Sequence, residues 1–459
     1  MSNLDFSETG RSELPIPSLK IAVEGCCHGS LEVIYNTLEK TCESRGWTVA
    51  SLDFLIICGD FQAIRNERDL NCMSVPRRYR NIGDFHRYYS GERKAPVLTL
   101  VIGGNHEASN YLSELYYGGW LAPNIYYMGA VNVLRYGPLR IAGLSGIFNN
   151  ADYRKPHHER LPYDRNEIRS VFHVRECDIS KLLQLHFPVD IGISHDWPRR
   201  VEWFGDYQKL FTDRPSFLES AKMDHLGSAP AEQVMNLLRP KYWFSGHMHV
   251  KYSAVVQHKR HVVEDIFKDL ALSDELLAQL PKSMFRASPK EKKSASKSIP
   301  PNIKNTVTHF LALDKPGLNR EFLELLEVDS CSNDGNISTK PYMQRTPEGK
   351  FALHYDEEWL SILRSCDKAP FIENASADEE LENLHWIETN ISAKGLLKVP
   401  ENFEKHAPIY DPEDKVDANE QPCEFPNVQT EEFCRMLQIQ NEFSVVENGM
   451  EGDDYIVFE

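Results

Sequence analysis

Apolar residues in this chain fall into short runs, and several of these runs stop abruptly at a glycine flanked by polar or charged groups. Leu19–Val23 leads into Glu-Gly-Cys-Cys-His, Phe54–Ile57 into Cys-Gly-Asp, and Val97–Ile102 into Gly-Gly-Asn-His. Val189–Ile193 leads into Ser-His-Asp, and Tyr242–Phe244 into Ser-Gly-His-Met-His. Short continuous apolar runs suit strands covered on both faces. The C-terminal ends of such strands meet along one sheet edge, where open α/β folds place their sites. Between the runs, the spacing predicts helices over Leu31–Arg45, Ala108–Glu114, Ile168–Leu185 and Ala231–Leu238. Val131–Tyr136 and Leu139–Leu144, joined by Gly137-Pro138, predict a hairpin. Further strands are expected at Lys251–Val256, Val307–Leu313 and Phe322–Val328. The charged stretch His258–Pro301, which ends in a Lys/Ser run from Lys290 to Lys297, reads as a helical segment followed by a flexible excursion.

Composition narrows the class. At 459 residues and 41% hydrophobic content the chain can bury a large core. It has no apolar run of the 18 or more residues that suggest a membrane span, and its polar, acidic start does not read as a signal peptide. The ten cysteines are scattered with no CxxC pair, which suits reduced thiols in cytosol or nucleus. The net charge of −17 divides into −1 over residues 1–250, +3 over 251–350 and −19 over 351–459. The acidity therefore sits in the last quarter and does not exclude a nucleic-acid substrate for the rest.

The chemistry-bearing residues are Cys26, His28, Asp60, Asn105, His106, His195, His247 and His249, and each follows an apolar run. In Cys26-x-His28 and His247-x-His249, residues two apart on an extended segment project to the same side. A thiolate and an imidazole are good ligands for zinc or iron. Asp60, after Gly59, brings a carboxylate that could bridge two cations, and Asn105 a neutral carbonyl oxygen. Singly, each has an ordinary structural explanation; a lone Gly-Asp is most often a turn. Five such elements in order, each behind a strand, are not explained that way.

The ordered set resembles the calcineurin-like metallophosphoesterases, which implies an α/β (α+β) fold: a β-sandwich flanked by helices, with two metals at the strand ends. That family usually opens with Asp-x-His, and Cys26 stands where the aspartate would be. Cysteine there is a hallmark of the RNA lariat debranching enzymes. The likeness continues through Phe85–Glu92, Gly103–Tyr111, Tyr117–Tyr127, Arg140–Ile147, Ser194–Pro198 and Phe310–Lys315. The resemblance implies one metal held by Cys26, His28, Asp60 and His249, and a second by Asp60, Asn105, His195 and His247. His106 would face the scissile phosphate, as the catalytic acid for the leaving 2′-oxygen or as a hydrogen-bond donor only. The metals would be Fe2+, Zn2+ or Mn2+, the thiolate favouring zinc or iron, and a metal-bound hydroxide would attack the phosphorus.

The implied substrate is branched (lariat) RNA, cut at its 2′,5′-phosphodiester in the nucleus by a monomer with no membrane attachment. Residues 148–175 mix cations and rings suited to single-stranded RNA. Tyr153, Arg154, Lys155, His157 and Arg169 are the candidate contacts, with Arg77, Arg78, Arg80 and Arg87 a second basic cluster. The expected organisation is a flexible leader at 1–17, the catalytic domain at 18–257, and a linker and small C-terminal domain completing the core at 258–348. An acidic, largely disordered tail at 349–459 would lie outside the resemblance.

Overall fold

The computed structural model describes residues 18–258, 299–330, 340–368, 377–417 and 419–443. The leader at 1–17, most of the charged stretch after His258 and the last residues of the tail lie outside these. Among the described residues no helix is long and apolar enough to cross a membrane.

Thirteen strands, numbered in chain order, form two mixed sheets among the described residues. The first sheet holds β1 (Leu19–Glu24), β2 (Phe54–Ile57), β3 (Thr99–Val101), β4 (Gly119–Ala122), β5 (Ile125–Tyr127) and β12 (Leu323–Val328), in the order β12-β1-β2-β3-β5-β4. The second holds β6 (Val131–Tyr136), β7 (Leu139–Leu144), β8 (Ile191–Ser194), β9 (Tyr242–Ser245), β10 (Tyr252–Gln257), β11 (Val307–Ala312) and β13 (Leu353–Tyr355), in the order β10-β11-β9-β8-β7-β6-β13. Strands β1, β2, β3 and β5 are parallel, as are β7, β8, β9 and β11, so their C-terminal ends supply the site.

Alternation along the strands explains the sandwich. Leu19, Ile21 and Val23 of β1, with Phe54 and Ile56 of β2, join the core shared with Ile141, Ile191, Ile193 and Phe244 of the second sheet. Their alternates Ala22, Leu55 and Ile57 face the other way, toward the helix Leu31–Ser44. That helix buries Leu31, Ile34, Tyr35, Leu38 and Cys42, one stripe at helical spacing. Its first amides donate to the Asp84 carboxylate (Leu31 N to Oδ1 2.9 Å, Glu32 N to Oδ2 2.8 Å).

The mixed α/β sandwich agrees with the expectation, but two readings need correction. The helix expected over Ile168–Leu185 is two short ones, Glu167–Ser170 and Glu176–Leu182. Between them the backbone is committed elsewhere: Ile147 N donates to Phe172 O (3.3 Å) and Val174 N to Ile147 O (3.0 Å). The larger correction concerns 349–459. Its described residues supply β13, which pairs antiparallel with β6, and the helices Glu357–Lys368, Ala377–Ile387 and Val428–Leu437. Trp359, Leu360, Ile387 and Leu437 are fully buried in the main core. The acidity that suggested a solvated tail is partly spent inside: Asp356 and Glu358 pair with Arg140 at 2.6 Å each, and Asp356 also with Arg135 at 2.8 Å.

Candidate metal centre

Each ligand-type residue sits where a strand ends. Cys26 and His28 follow β1, Asp60 follows β2, Asn105 and His106 follow β3, His195 follows β8, and His247 and His249 follow β9. The backbone turns sharply there. His28 (φ 47°), Asp60 (φ 47°), His247 (φ 63°) and His249 (φ 50°) all adopt the left-handed conformation, costly for residues with a side chain. The glycines in Gly59-Asp60 and Gly104-Asn105 serve close approach. A Cβ on Gly59 would lie 2.3 Å from His195 Nδ1, and one on Gly104 2.3 Å from Asp60 Oδ1.

The structure brings the first predicted set together: donor atoms of Cys26, His28, Asp60 and His249 all lie within 4.8 Å of one another. Ligands held about 2.0–2.3 Å from one cation lie within about 4.6 Å of each other, so the cluster is close to the size of a coordination shell. His28 Nε2 lies 3.0 Å from His249 Nε2 and 3.4 Å from Asp60 Oδ2. The second set gathers on the other side of Asp60. His195 Nε2 is 3.4 Å from Asp60 Oδ1 and 3.3 Å from Asn105 Oδ1, and the His195 and His247 rings lie 4.9 Å apart. His195 Nδ1 lies 2.7 Å from the Cys58 carbonyl, which can only accept; Nδ1 therefore carries the proton and Nε2 a lone pair. Three electron-rich atoms, His195 Nε2, Asp60 Oδ1 and Asn105 Oδ1, thus face one another, an arrangement a cation satisfies.

The electrostatics agree with that donor set. Burial pushes His28, His195 and His249 down to about 4, so each offers a neutral imidazole at physiological pH. Burial alone would raise Asp60, but His195, the His106 hydrogen bond and His28 outweigh it and hold the carboxyl well below its usual range. Burial, then the charges of Asp60 and Glu24, push the Cys26 thiol up, so the thiolate needs a cation beside it. Its sulfur already accepts from His247 N at 2.9 Å.

His106 lies against the shared carboxylate, its backbone N 2.9 Å from Asp60 Oδ1 and its Nδ1 3.1 Å from Oδ2. Its side chain stays one-third exposed (34%), open to a substrate. The Asp60 hydrogen bond raises its pKa against the effect of burial.

Sequence reasoning missed Glu107, which clamps two ligand loops together. Its carboxylate accepts from Phe61 N (2.8 Å), Gln62 N (2.7 Å) and Gly104 N (2.8 Å). Burial and the neighbouring Asp60 push it up to about 7. The signal was its place in Gly-Asn-His-Glu.

The expected RNA contacts divide. Arg154, Lys155 and Arg169 are exposed, Lys155 pairing with Asp152 at 2.6 Å. Tyr153 is half-buried with its ring against Phe148. His157 turns inward, its Nε2 2.7 Å from the buried Asp178. In the second cluster, Arg87 pairs with Glu32 and Glu92, and Arg80 donates to Val75 O, Met73 O and Asn71.

Cys26→Asp tests the thiolate. The variant is expected to fold, retain less zinc or iron, and shift its activity optimum toward manganese, because a carboxylate is the harder ligand. Metal analysis and activity with each ion check this; no change in either would remove Cys26 from the ligand set.

Comparison with known proteins adds an independent line. The model of the calcineurin-like phosphoesterase family matches residues 19–251, and that of the lariat debranching enzyme C-terminal domain matches 305–442. The second match includes much of the stretch expected to lie outside any resemblance. The chain is 41% identical over 434 residues to the lariat debranching enzyme of Homo sapiens, covering 92% of this chain and 69% of that protein. Identity to the lariat debranching enzyme A of Xenopus laevis is 39% over 431 residues, covering 91% and 70%. With the Schizosaccharomyces pombe lariat debranching enzyme it is 37% over 462 residues, covering 90% and 95%.

Proposed function

The chain belongs to the lariat debranching enzyme family, within the calcineurin-like phosphoesterases, and from that premise we propose that it hydrolyses the 2′,5′-phosphodiester at the branch nucleotide of lariat RNA. One observation carries the reading: two donor clusters share the Asp60 carboxylate, and the His106 imidazole lies against it.

Cys26, His28, Asp60 and His249 would hold one divalent cation, and Asp60, Asn105, His195 and His247 the other. Bound there, the cations supply a water acidic enough to attack at neutral pH and neutralise charge on the phosphoryl oxygens. The chain's own groups do the rest. The Cys58 carbonyl keeps His195 in the tautomer that points its lone pair inward. Glu107 fixes the Asp60 and Asn105 loops relative to each other. His106, hydrogen-bonded through Nδ1 to Asp60 and partly open to solvent, would protonate the ribose 2′-oxygen as it leaves. The soft Cys26 sulfur in an otherwise nitrogen and oxygen set favours zinc or iron over manganese.

Selectivity for the branch must come from outside the metal ligands, which treat any phosphodiester alike. Exposed Arg154, Lys155 and Arg169 offer phosphate contacts for single-stranded RNA. We also propose that the protein acts in the nucleus, where introns are excised, and as a monomer.

The experiment is a bond panel. Metal-loaded protein is given a 2′,5′-branched RNA and a linear 3′,5′-linked RNA of the same sequence. The expected products are a linear RNA with a free 2′-hydroxyl at the former branch and a partner strand keeping its 5′-phosphate, with the 3′,5′ bonds intact. Equal cleavage of both linkages would leave only an unselective phosphodiesterase.

A further inference from the structure

The run Phe310–Lys315 stands apart in the sequence, yet no ligand comes from it. Phe310, Ala312 and Leu313 are buried and fill the core. Asp314 and Lys315 are left to explain, and their position is set by register. Strand β11 runs parallel to β9 with Ala312 opposite Ser245, and Leu313 N still donates to Ser245 O at 3.2 Å. Both chains therefore leave the sheet at the same end, β9 toward His247 and His249 and β11 toward Lys315.

The segment is then tied to the other sheet. Asp314 O accepts from Cys26 N at 3.3 Å, and Asp314 N donates to Glu321 O at 3.1 Å, just ahead of β12. A Cβ at Gly25 would lie only 2.2 Å from Asp314 O, so the two backbones are in close contact. The Asp314 carboxylate accepts from Lys315 N (2.7 Å) and from Arg320 Nη1 (2.6 Å). Lys315 thus rides on a short bridge between the sheets, anchored to the peptide of a candidate metal ligand.

Its ammonium is placed differently from the Arg320 guanidinium. Arg320 has Asp314; among the described residues no hydrogen bond or ion pair engages the half-buried Lys315 side chain. Lys315 follows directly on Asp314, whose carbonyl accepts from Cys26 N, so the ammonium is carried close to the loop that bears the candidate ligands Cys26 and His28. A cation held close to a group of cation ligands is unfavourable by itself, since it also repels the metals. The placement becomes favourable once an anion lies between them.

We propose that Lys315, presented beside Cys26 by the β11–β12 bridge, grips a non-bridging oxygen of the phosphodiester being cut. The proposal rests on the debranching reading. It adds a charged contact from the chain itself to the charge neutralisation otherwise left to the metals and His106, and it gives the Asp314–Arg320 pair the task of holding the bridge.

The test uses the full chain, metal-loaded, as wild type, Lys315→Met and Lys315→Arg. Bound metal is measured, then inhibition by inorganic phosphate, then kcat/KM on branched RNA and on a bis-nitrophenyl phosphodiester. Metal content is expected to stay the same in all three. In Lys315→Met, phosphate inhibition should weaken and kcat/KM on both substrates should fall about 10²-fold, the usual loss when one contact to developing oxyanion charge is removed. Lys315→Arg, which keeps the charge, should recover most of that loss. Unchanged phosphate inhibition in Lys315→Met overturns the proposal, and so does loss of metal, which would make the role structural. A defect confined to RNA, with the small phosphodiester and phosphate unaffected, moves Lys315 to a neighbouring phosphate and also overturns it. Wild type that cuts the small phosphodiester but spares the 2′,5′ bond refutes the debranching reading instead.

Discussion

A chain ended at Glu348 is expected to be insoluble or to lack a cooperative thermal transition, although every candidate metal ligand lies before that point. Charge by segment alone argues the opposite, since the part removed includes the strongly acidic 351–459, which carries −19, and its loss looks harmless. The contacts decide. Truncation would remove Asp356 and Glu358 from Arg140, whose side chain is 1% exposed, and Asp356 from Arg135. An uncompensated buried charge costs about 3–5 kcal/mol, against a typical net stability of about 5–15 kcal/mol. Fully buried Trp359 and Leu360 would leave the main core as well. Trp120 would lose three hydrogen bonds: one to Pro400 O, which accepts from its indole at 2.7 Å, and two to the Gln429 side chain, which bonds both its backbone N (2.7 Å) and O (3.0 Å). Expression of residues 1–348, followed by circular dichroism and a thermal melt, checks this. A soluble fragment with a sharp transition would show that the catalytic sandwich stands alone. Asp356→Ala in the full chain is the graded version, expected to lower the melting temperature without touching the site.

His106→Ala is expected to lower turnover on branched RNA by about 10²–10⁴, the range for loss of a positioned acid, with RNA affinity within a few-fold of wild type. The separation is expected because His106 holds Asp60 in two ways. Its backbone N donates to Asp60 Oδ1, and that bond survives in alanine; only the imidazole bond to Oδ2 is lost. Asp60 keeps its other neighbours, His28 and His195. Metal content should therefore hold while chemistry slows. Single-turnover rates at saturating RNA, with metal analysis on the same preparation, separate the effects. Loss of metal in parallel with activity would show His106 acting through the centre and not on the leaving oxygen.

The site was legible in the sequence for a geometric reason. Buried strands read as apolar runs, so Asp60 or His195 appearing at the end of one marks a turn out of the sheet, and parallel strands gather such turns at one edge. Residues whose role depends on a distant partner were harder to read. Glu107 looks like any acid after a histidine until Phe61, Gln62 and Gly104 are seen donating to it. His157 seemed available to RNA until Asp178 was found opposite it. The helix Glu357–Lys368 hides its apolar side, with Trp359, Leu360, Ile362 and Leu363 set among Glu357, Glu358, Arg364 and Asp367. Its acidic neighbourhood looked solvated because Arg135 and Arg140, which use Asp356 and Glu358, lie more than two hundred positions earlier.

That separation also has a meaning in time. Strand β6 is complete at Tyr136, while its outer neighbour β13 ends at Tyr355. A ribosome adding about 5–20 residues per second needs roughly 10–45 s to span that interval. Until then Leu134, Arg135 and Tyr136 lack the strand that will pair with them, and Arg140 lacks its carboxylates. An unpaired edge of this kind is a template for joining another chain. The nascent protein thus passes through a stage in which its metal-ligand residues have all been synthesised while one flank of the second sheet is still open. Help from chaperones would be needed most during that stage.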